Sequence, residues 1–297
     1  MENNLMIYNP VSGKINEKEN FLGEIITGLT DGGNLLSLYQ TQGKGDAQTF
    51  ISNYPIESYN KIICCGGDGT LHEVINGIAA SNKQATIGYI PAGSTNDYAK
   101  NLGINSDNAI NYIRKGYASP IDIGNFNGEH FNYVAAFGAF TTIPFTTSQK
   151  LKNSLGYFAY LLEGIKQLNN ITSKHMRFQT DQTGAEDDFL VGMITNAFSI
   201  AGFKNVNTGG TQLNDGKMEY LFIKMPQNLI ELQLIITALL NDHIDERFMY
   251  YGKFTWMELH SEPMEWTLDG ENGGTHSSAQ ISVHSDIVKI ITGTTLI

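Results

Sequence analysis

Two cysteines in 297 residues leave no disulfide framework to hold this chain together. The two, Cys64 and Cys65, are adjacent in an apolar run, an arrangement unsuited to an ordinary bridge, and they read as core thiols in a reducing compartment. Basic residues are scarce as well: 19 Lys and Arg stand against 30 Asp and Glu, a formal net charge of −11. That excludes a general nucleic-acid binder, which neutralises phosphates with clustered cations, and it weakens non-specific attraction to anionic membranes. No apolar run approaches the ~20 residues that span a bilayer. The start "MENNLMIYNP" has neither the basic residues nor the apolar stretch of a signal peptide, so the expectation is a cytoplasmic protein. Low-complexity tracts and internal repeats are absent too, and 41% hydrophobic residues is ordinary for a folded protein of two modest domains.

What is present begins with alternation. "LMIY" (Leu5–Tyr8), "LLSLY" (Leu35–Tyr39), "KIICC" (Lys61–Cys65) and "TIGYI" (Thr86–Ile90) read as strands. Between them lie helical patterns: "EKENFLGEIITGL", with Phe21, Leu22, Ile25 and Leu29 at helical spacing, then "DAQTFI" and "LHEVINGIAA". Strand, helix, strand at this spacing means a doubly wound parallel sheet, whose ligands sit at the carboxyl ends of its strands. After "AINYIRKGYASPIDIGNF" the pattern changes, and a boundary falls near Asp122. "GEHFNYVAAFGAF", "DDFLVGMITN", "MEYLFIK", "KFTWMELHSE" and "AQISVHSDIVKII" read as strands separated by turn signals. Helices interrupt them at Ser154–Leu168 and over "LIELQLIITALLND". The predicted architecture is α/β plus β: an N-terminal domain over residues 1–122 and a mostly antiparallel β-sandwich with helical insertions over 123–289.

The loops after the strands carry the chemistry. "CCGGDGTLHEV" places Gly66, Gly67, Asp68 and Gly69 where the third strand hands over to a helix. Glycines there let backbone approach a ligand, and the free N–H groups of a helix start favour an anion, a phosphate above all. There is no Walker A pattern and no G-x-G-x-x-G spacing. Asp68 would repel a bare phosphate, which suggests a metal-bound nucleotide. "YNPVSGK" after the first strand and "IPAGSTNDYAK" after the fourth repeat the theme with Asn9, Ser12, Gly13 and with Gly93, Ser94, Thr95, Asp97. Three polar glycine-bearing loops thus converge on one sheet edge.

"NPVSG", "GGDGTLHEV", "PAGSTND" and the later "LDGE" (Leu268–Glu271) together resemble the signature set of the diacylglycerol kinase catalytic-domain family, which includes soluble bacterial diacylglycerol kinases and the sphingosine and ceramide kinases. "GGDGT" alone is shared with NAD kinases. The resemblance implies ATP binding by Asn9, Pro10, Val11, Ser12, Gly13, Thr41, by Gly66, Gly67, Asp68, Gly69, Thr70 and Glu73, and by Ser94 and Thr95. It implies a water-bridged network of Asp68, Asp97 and Asp122 around a catalytic Mg2+, an ion that keeps several waters. Taken singly, Asp97 also reads as a helix-dipole residue and Asp122 as a turn cap.

Glu271 is implied as the general base that accepts the lipid hydroxyl's proton, although "TLDGENGG" by itself reads as an acidic hairpin turn. Its position would put the base on the second domain and the active site in the cleft between the two. By the same resemblance the tail near 290–297 returns to the first domain. "QLNDGKM" resembles a structural Mg2+ site, with the Asp215 carboxylate and the carbonyls of Gln212 and Lys217; an Asp-Gly hairpin is the alternative to that preferred reading. The implied activity is an ATP- and Mg2+-dependent lipid kinase converting diacylglycerol to phosphatidic acid. Its implied partners are ATP and a membrane lipid met in transient peripheral contact at the inner face of the membrane, and the family leads one to expect a homodimer. An NAD kinase and an ATP-binding regulatory protein of little activity are the alternatives.

Overall fold

The computed structural model describes residues 1–81, 83–138, 173–197, 212–241 and 243–296. They fall into two compact units: Met1–Ile123 with His130–Asn132 and His284–Ile297, and Gly124–Glu129 with Tyr133–Val283. The helix expected over Ser154–Leu168 lies outside the described residues.

Unit 1 is built on a parallel sheet. Strands β1 (Asn3–Tyr8), β2 (Leu35–Gln40), β3 (Lys61–Gly66) and β4 (Ala85–Pro91) pair in the order β4-β3-β1-β2. The late strand β13 (Glu271–Thr292) joins beyond β4 through Val288–Ile290. Ile62 to Gly66 and Leu5 to Ile7 are buried without alternation, as strands covered on both faces require. The register sets Tyr8 opposite both Gln40 and Cys65, and Gly66 opposite Pro91, so the carboxyl ends of all four strands share one edge.

Helices flank this sheet. The apolar stretch expected as one helix divides into α1 (Gly13–Glu17) and α2 (Phe21–Thr30), because Asn20 takes a left-handed φ of 70° between them. Phe21, Ile25 and Leu29 bury the inner stripe of α2, while Leu22 does not join it. Helices α3 (Asp46–Asn53), α4 (Asp68–Ala80), α5 (Asp97–Asn101) and α6 (Ala109–Lys115) follow. Helix α4 is buried nearly all round, and His72 and Asn76 on it are buried polar residues. Asn76 satisfies itself against strand β6 (Glu129–Phe131), donating to the His130 carbonyl and accepting from its N–H, both at 2.8 Å.

Unit 2 is antiparallel throughout its described pairings. Its strands are β7 (Val134–Gly138), β8 (Lys174–Thr180), β9 (Gly184–Thr195), β10 (Met218–Lys224), β11 (Met249–Phe254) and β12 (Trp256–Leu268), with the first part of β13. Strands β9 and β12 each pair with β8 along one stretch and with β7 along another, so the hydrogen bonding forms one continuous network. Strand β5 (Tyr117–Phe126) pairs with β6 and β13. The run "KFTWMELHSE" is two strands broken at Thr255, not one. Strand β8 is absent from the strands expected of the sequence, although Met176, Phe178 and Thr180 alternate cleanly with charged or polar residues.

The two faces of the unit 2 sheet differ. Phe137, Phe178, Phe189, Phe222 and Trp266 pack ring to ring on one, with Gly192 leaving room for Phe137 and Phe222. On the other, Val191, Met193, Leu221 and Ile223 meet helix α7 (Leu229–Leu240) through Leu232, Ile235, Ile236 and Leu239.

Candidate functional site

The loops after β1, β2, β3 and β4 are stitched together by backbone. The Asn9 N–H donates to the Cys65 carbonyl at 3.1 Å, Thr41 N–H to Tyr8 at 3.0 Å, Ala92 N–H to Gly66 at 2.8 Å and Lys14 N–H to Ala92 at 3.0 Å. Within the first loop the Asn9 side chain accepts from the Val11 N–H, and Ser12 donates its N–H to the Asn9 carbonyl, closing a tight turn at Pro10 and Val11. Gly13 lies beside Ser94: a Cβ on Gly13 would stand 3.9 Å from the Ser94 hydroxyl. Two loops far apart in sequence thereby face one another.

The two central glycine loops touch through their backbones. A Cβ on Gly93 would lie 2.6 Å from Gly67 Cα, and a Cβ on Gly67 would lie 3.3 Å from Gly93 Cα. No side chain fits at Gly93 without moving main chain. Asn96, in the left-handed region at φ 50°, pins that turn by accepting from the Gly93 N–H at 2.9 Å and donating to its carbonyl at 2.7 Å. Gly66 lies under the Thr70 side chain, where a Cβ would come within 2.6 Å of Thr70 Cβ.

Asp68 joins these loops. It opens α4, and its Oδ2 accepts from the Asp97 N–H at 3.0 Å and from the Thr95 hydroxyl at 3.4 Å, while Oδ1 accepts from the Tyr98 N–H at 3.3 Å. The carboxylate therefore anchors the start of α5 and fixes Thr95 beside it. Its charge reaches inward: burial above all, then Asp68, pushes the Tyr89 phenol well up. Burial likewise raises the Cys64 thiol well above its usual value, with Cys65, Glu73 and Asp68 adding to it, and pushes Cys65 up to about 12. These cysteines are core thiols, buried and free.

Other predicted residues take separate places. Glu73 reaches away to α3, accepting from the Gly45 N–H at 2.7 Å and the Ala47 N–H at 3.1 Å, and so holds the loop that carries Thr41. Asp97 pairs with Lys100 at 2.9 Å. Asp122 is buried on β5 and accepts from the Ser285 hydroxyl at 2.5 Å. Among the described residues no three His, Cys, Asp or Glu side chains are grouped to cage a metal directly. Lys14 donates its ammonium to the Ser106 hydroxyl at 3.1 Å.

At "QLNDGKM" the Asp215 carboxylate is already engaged. Its Oδ1 accepts from the Lys217 N–H at 3.1 Å and its Oδ2 meets the Lys253 ammonium at 2.9 Å. Lys253 also stands 3.1 Å from Glu219, the residue opposite it across β10 and β11. Burial pushes the Glu219 carboxyl up to about 7, against the pull of Lys253. Asp215 thus links the turn to β11 through Lys253.

In unit 2, Glu271 begins β13 and pairs with Leu268 across a two-residue turn. Asp269 at φ 51° and Gly270 at φ 86° give the left-handed pair that a tight hairpin needs. The Asp269 carboxylate Oδ1 accepts from the Tyr133 N–H at 2.8 Å and the Val134 N–H at 2.9 Å, and the Asp269 N–H donates to the Val134 carbonyl at 2.7 Å. Asp269 therefore fixes the turn that presents Glu271. Sequence reasoning missed Asp269 and Asn96. Asp-Gly at a hairpin and Asn before a helix were the signals available for them.

With this geometry in view, comparisons with known proteins are specific. Residues 3–126 match the family model described as diacylglycerol kinase catalytic domain. The diacylglycerol kinase of Bacillus subtilis (strain 168) is 33% identical over 274 residues, covering 91% of this chain and 89% of that one. That of Staphylococcus carnosus (strain TM300) is 36% identical over 273 residues, covering 91% and 88%. A crystal structure from Bacillus anthracis (strain Sterne) superposes with a TM-score of 0.80 at 24% identity, covering 98% of this chain and 95% of that one.

Proposed function

The chain belongs to the diacylglycerol kinase family, phosphotransferases with an alcohol acceptor, and from that premise we propose that it transfers the γ-phosphoryl group of ATP to a lipid hydroxyl, that of diacylglycerol, yielding phosphatidic acid and ADP. What carries the proposal is the pair of glycine loops in backbone contact at the carboxyl edge of the parallel sheet, tied by Asp68. Glycine at positions 67 and 93 lets the two loops close on each other, and the N–H groups at the start of α4 offer a phosphate chain donors. Asn9 to Gly13, Thr41, Ser94 and Thr95 line the same edge and complete the nucleotide set.

Glu271 acts as general base. Its carboxylate accepts the proton of the lipid hydroxyl as that oxygen bonds to the γ-phosphorus and the bond to the β,γ-bridging oxygen breaks. Magnesium bound with ATP would neutralise phosphate charge, and Asp68, Asp97 and Asp122 are the carboxylates that would hold it through water. A second, structural magnesium would be held by the Asp215 carboxylate, beside Lys253, and by the carbonyls of Gln212 and Lys217. The lipid is met at a bilayer surface in transient contact, and the homodimer expected from the family is part of the proposal.

The test presents purified protein, labelled ATP and Mg2+ with mixed micelles of diacylglycerol and, in parallel, with NAD. Label is expected in phosphatidic acid. Label in NAD, or in neither, would overturn the assignment. Glu271→Gln keeps size and removes the base, so turnover should collapse while ATP binding survives. Asp68→Asn should instead weaken ATP binding in the presence of Mg2+.

A further inference from the structure

Helix α7 reads "LIELQLIITALL", and it is apolar on the side that faces away from the core as well as the side that faces it. Leu229, Ile230, Leu234 and Leu240 are 61%, 70%, 39% and 50% exposed, and they supply four of the ten large exposed hydrophobic side chains among the described residues. Their positions, with Gln233 and Thr237 between them, make one continuous outer stripe at helical spacing. The helix has a single charge, Glu231, which accepts from the Gln227 N–H at 2.8 Å and so turns back to the segment before the helix. Asn228 caps the same end by accepting from the N–H groups of Ile230 and Glu231. The outer face therefore bears no charge, in a chain whose formal net charge is −11.

A surface helix of a water-soluble protein ordinarily puts charge on its outer face. A helix of this length is about 18 Å long and about 10 Å wide, so the face covers roughly 200 Å². That is far below the ~800 Å² per partner of a specific protein interface, and a second copy of the chain would gain too little from it. An interfacial helix needs only its apolar face immersed at the boundary between headgroups and acyl chains. For an acidic chain, the face free of acid is also where an anionic bilayer repels least.

We propose that the outer face of α7 is the surface by which this protein docks on a lipid bilayer, the helix lying in the plane of the interface. The inference rests on the substrate being a membrane lipid, as proposed above, and it assigns the part of the chain that reaches the substrate's phase.

The experiment is co-sedimentation with phosphatidylcholine vesicles containing diacylglycerol, without ATP, so that binding is read separately from turnover. Leu229→Ser/Ile230→Ser alters two exposed side chains at the helix start and should lower vesicle binding ten- to a hundredfold, about tenfold for each side chain removed from the apolar phase. Turnover on a short-chain, monomeric diacylglycerol should stay at the parent level. An Ile230→Trp variant should shift its fluorescence to the blue when vesicles are added. Unchanged vesicle binding by the double variant, with no blue shift in the Ile230→Trp protein, overturns the inference, as does parent protein that binds no vesicles. A parent dimer that the double variant converts to monomer in analytical ultracentrifugation overturns it too, since the face would then belong to a second copy. Vesicle binding lost as expected, in a protein that phosphorylates no lipid, would sink the kinase assignment and leave the docking face standing.

Discussion

Asp269 offers a graded perturbation of the turn that presents Glu271. Its carboxylate accepts two backbone N–H groups, from Tyr133 and Val134, while its own backbone sits at φ 51°. Hydrogen bonds to a charged group contribute about 1.5–3 kcal/mol each when both partners are shielded, and this partly buried pair belongs at the lower end. Asp269→Asn keeps an acceptor oxygen and suits the left-handed backbone, so it should cost about 1 kcal/mol. Asp269→Gly loses both bonds but relieves the backbone, for a net loss of about 1–3 kcal/mol. Asp269→Ala loses both bonds and adds the left-handed penalty of about 1–2 kcal/mol, for about 3–5 kcal/mol in all. The assay is hydrogen exchange at the Tyr133 and Val134 amides, read beside urea unfolding midpoints. Turnover should fall in the order Asn, Gly, Ala with the KM for ATP unchanged, because the glycine loops proposed to bind ATP lie in the other unit. Equal stability and turnover in Gly and Ala variants, or Asn as damaging as Ala, would refute the clamp.

Three further outcomes follow from the geometry. Gly93→Ala should abolish ATP binding in calorimetry, since its Cβ would meet Gly67 main chain at 2.6 Å, whereas Gly43→Ala, with nothing within 4 Å, should bind as the parent does. Near-parental affinity for Gly93→Ala would contradict the close loop contact. Glu186 first, and then Asp188, hold the His175 imidazole above its usual 6.5 by hydrogen bonds. The stabilisation this provides is fully present below about pH 6.5 and fades as pH rises through the raised value. NMR titration should show that value falling back toward 6.5 in Glu186→Gln/Asp188→Asn, and a parent imidazole titrating at or below 6.5 would contradict it. Cys64 and Cys65 should resist Ellman's reagent until the chain is unfolded, because burial keeps both thiols protonated; rapid labelling of folded protein would be the contrary result.

Much of this site could be read from the chain because its parts are local. A glycine-rich turn after a buried strand is a contiguous pattern, and four such strands with helices between them bring their carboxyl ends together by topology alone. What could not be read is the wiring between distant segments. Asp68 was legible as an acid among glycines, but its hold on α5, 29 residues away, depends on how two loops fold against each other. Glu73 lay inside the same motif and serves a different element, α3. The Asp215 turn matched a pattern, while its lysine partner comes from a strand 38 residues on. The helix break at Asn20 needed a positive φ that spacing cannot reveal, and β8 was hidden by cationic residues on its exposed face.

The pairing of β13 with β4 has a consequence for how the protein is made. Ala85–Ile87 finds its partner in Val288–Ile290, about 200 residues further along. At ribosomal rates of about 5–20 residues per second, that partner emerges roughly 10–40 s after β4 has been synthesised. Throughout that interval the nascent parallel sheet has an open edge at β4, with unpaired N–H and C=O groups beside the apolar side chains of Ile87, Tyr89 and Ile90, a template for pairing with other chains. The first sheet to be translated is thus completed by the last strand, and a ribosome that stalls before His284 leaves an unfinished, aggregation-prone sheet.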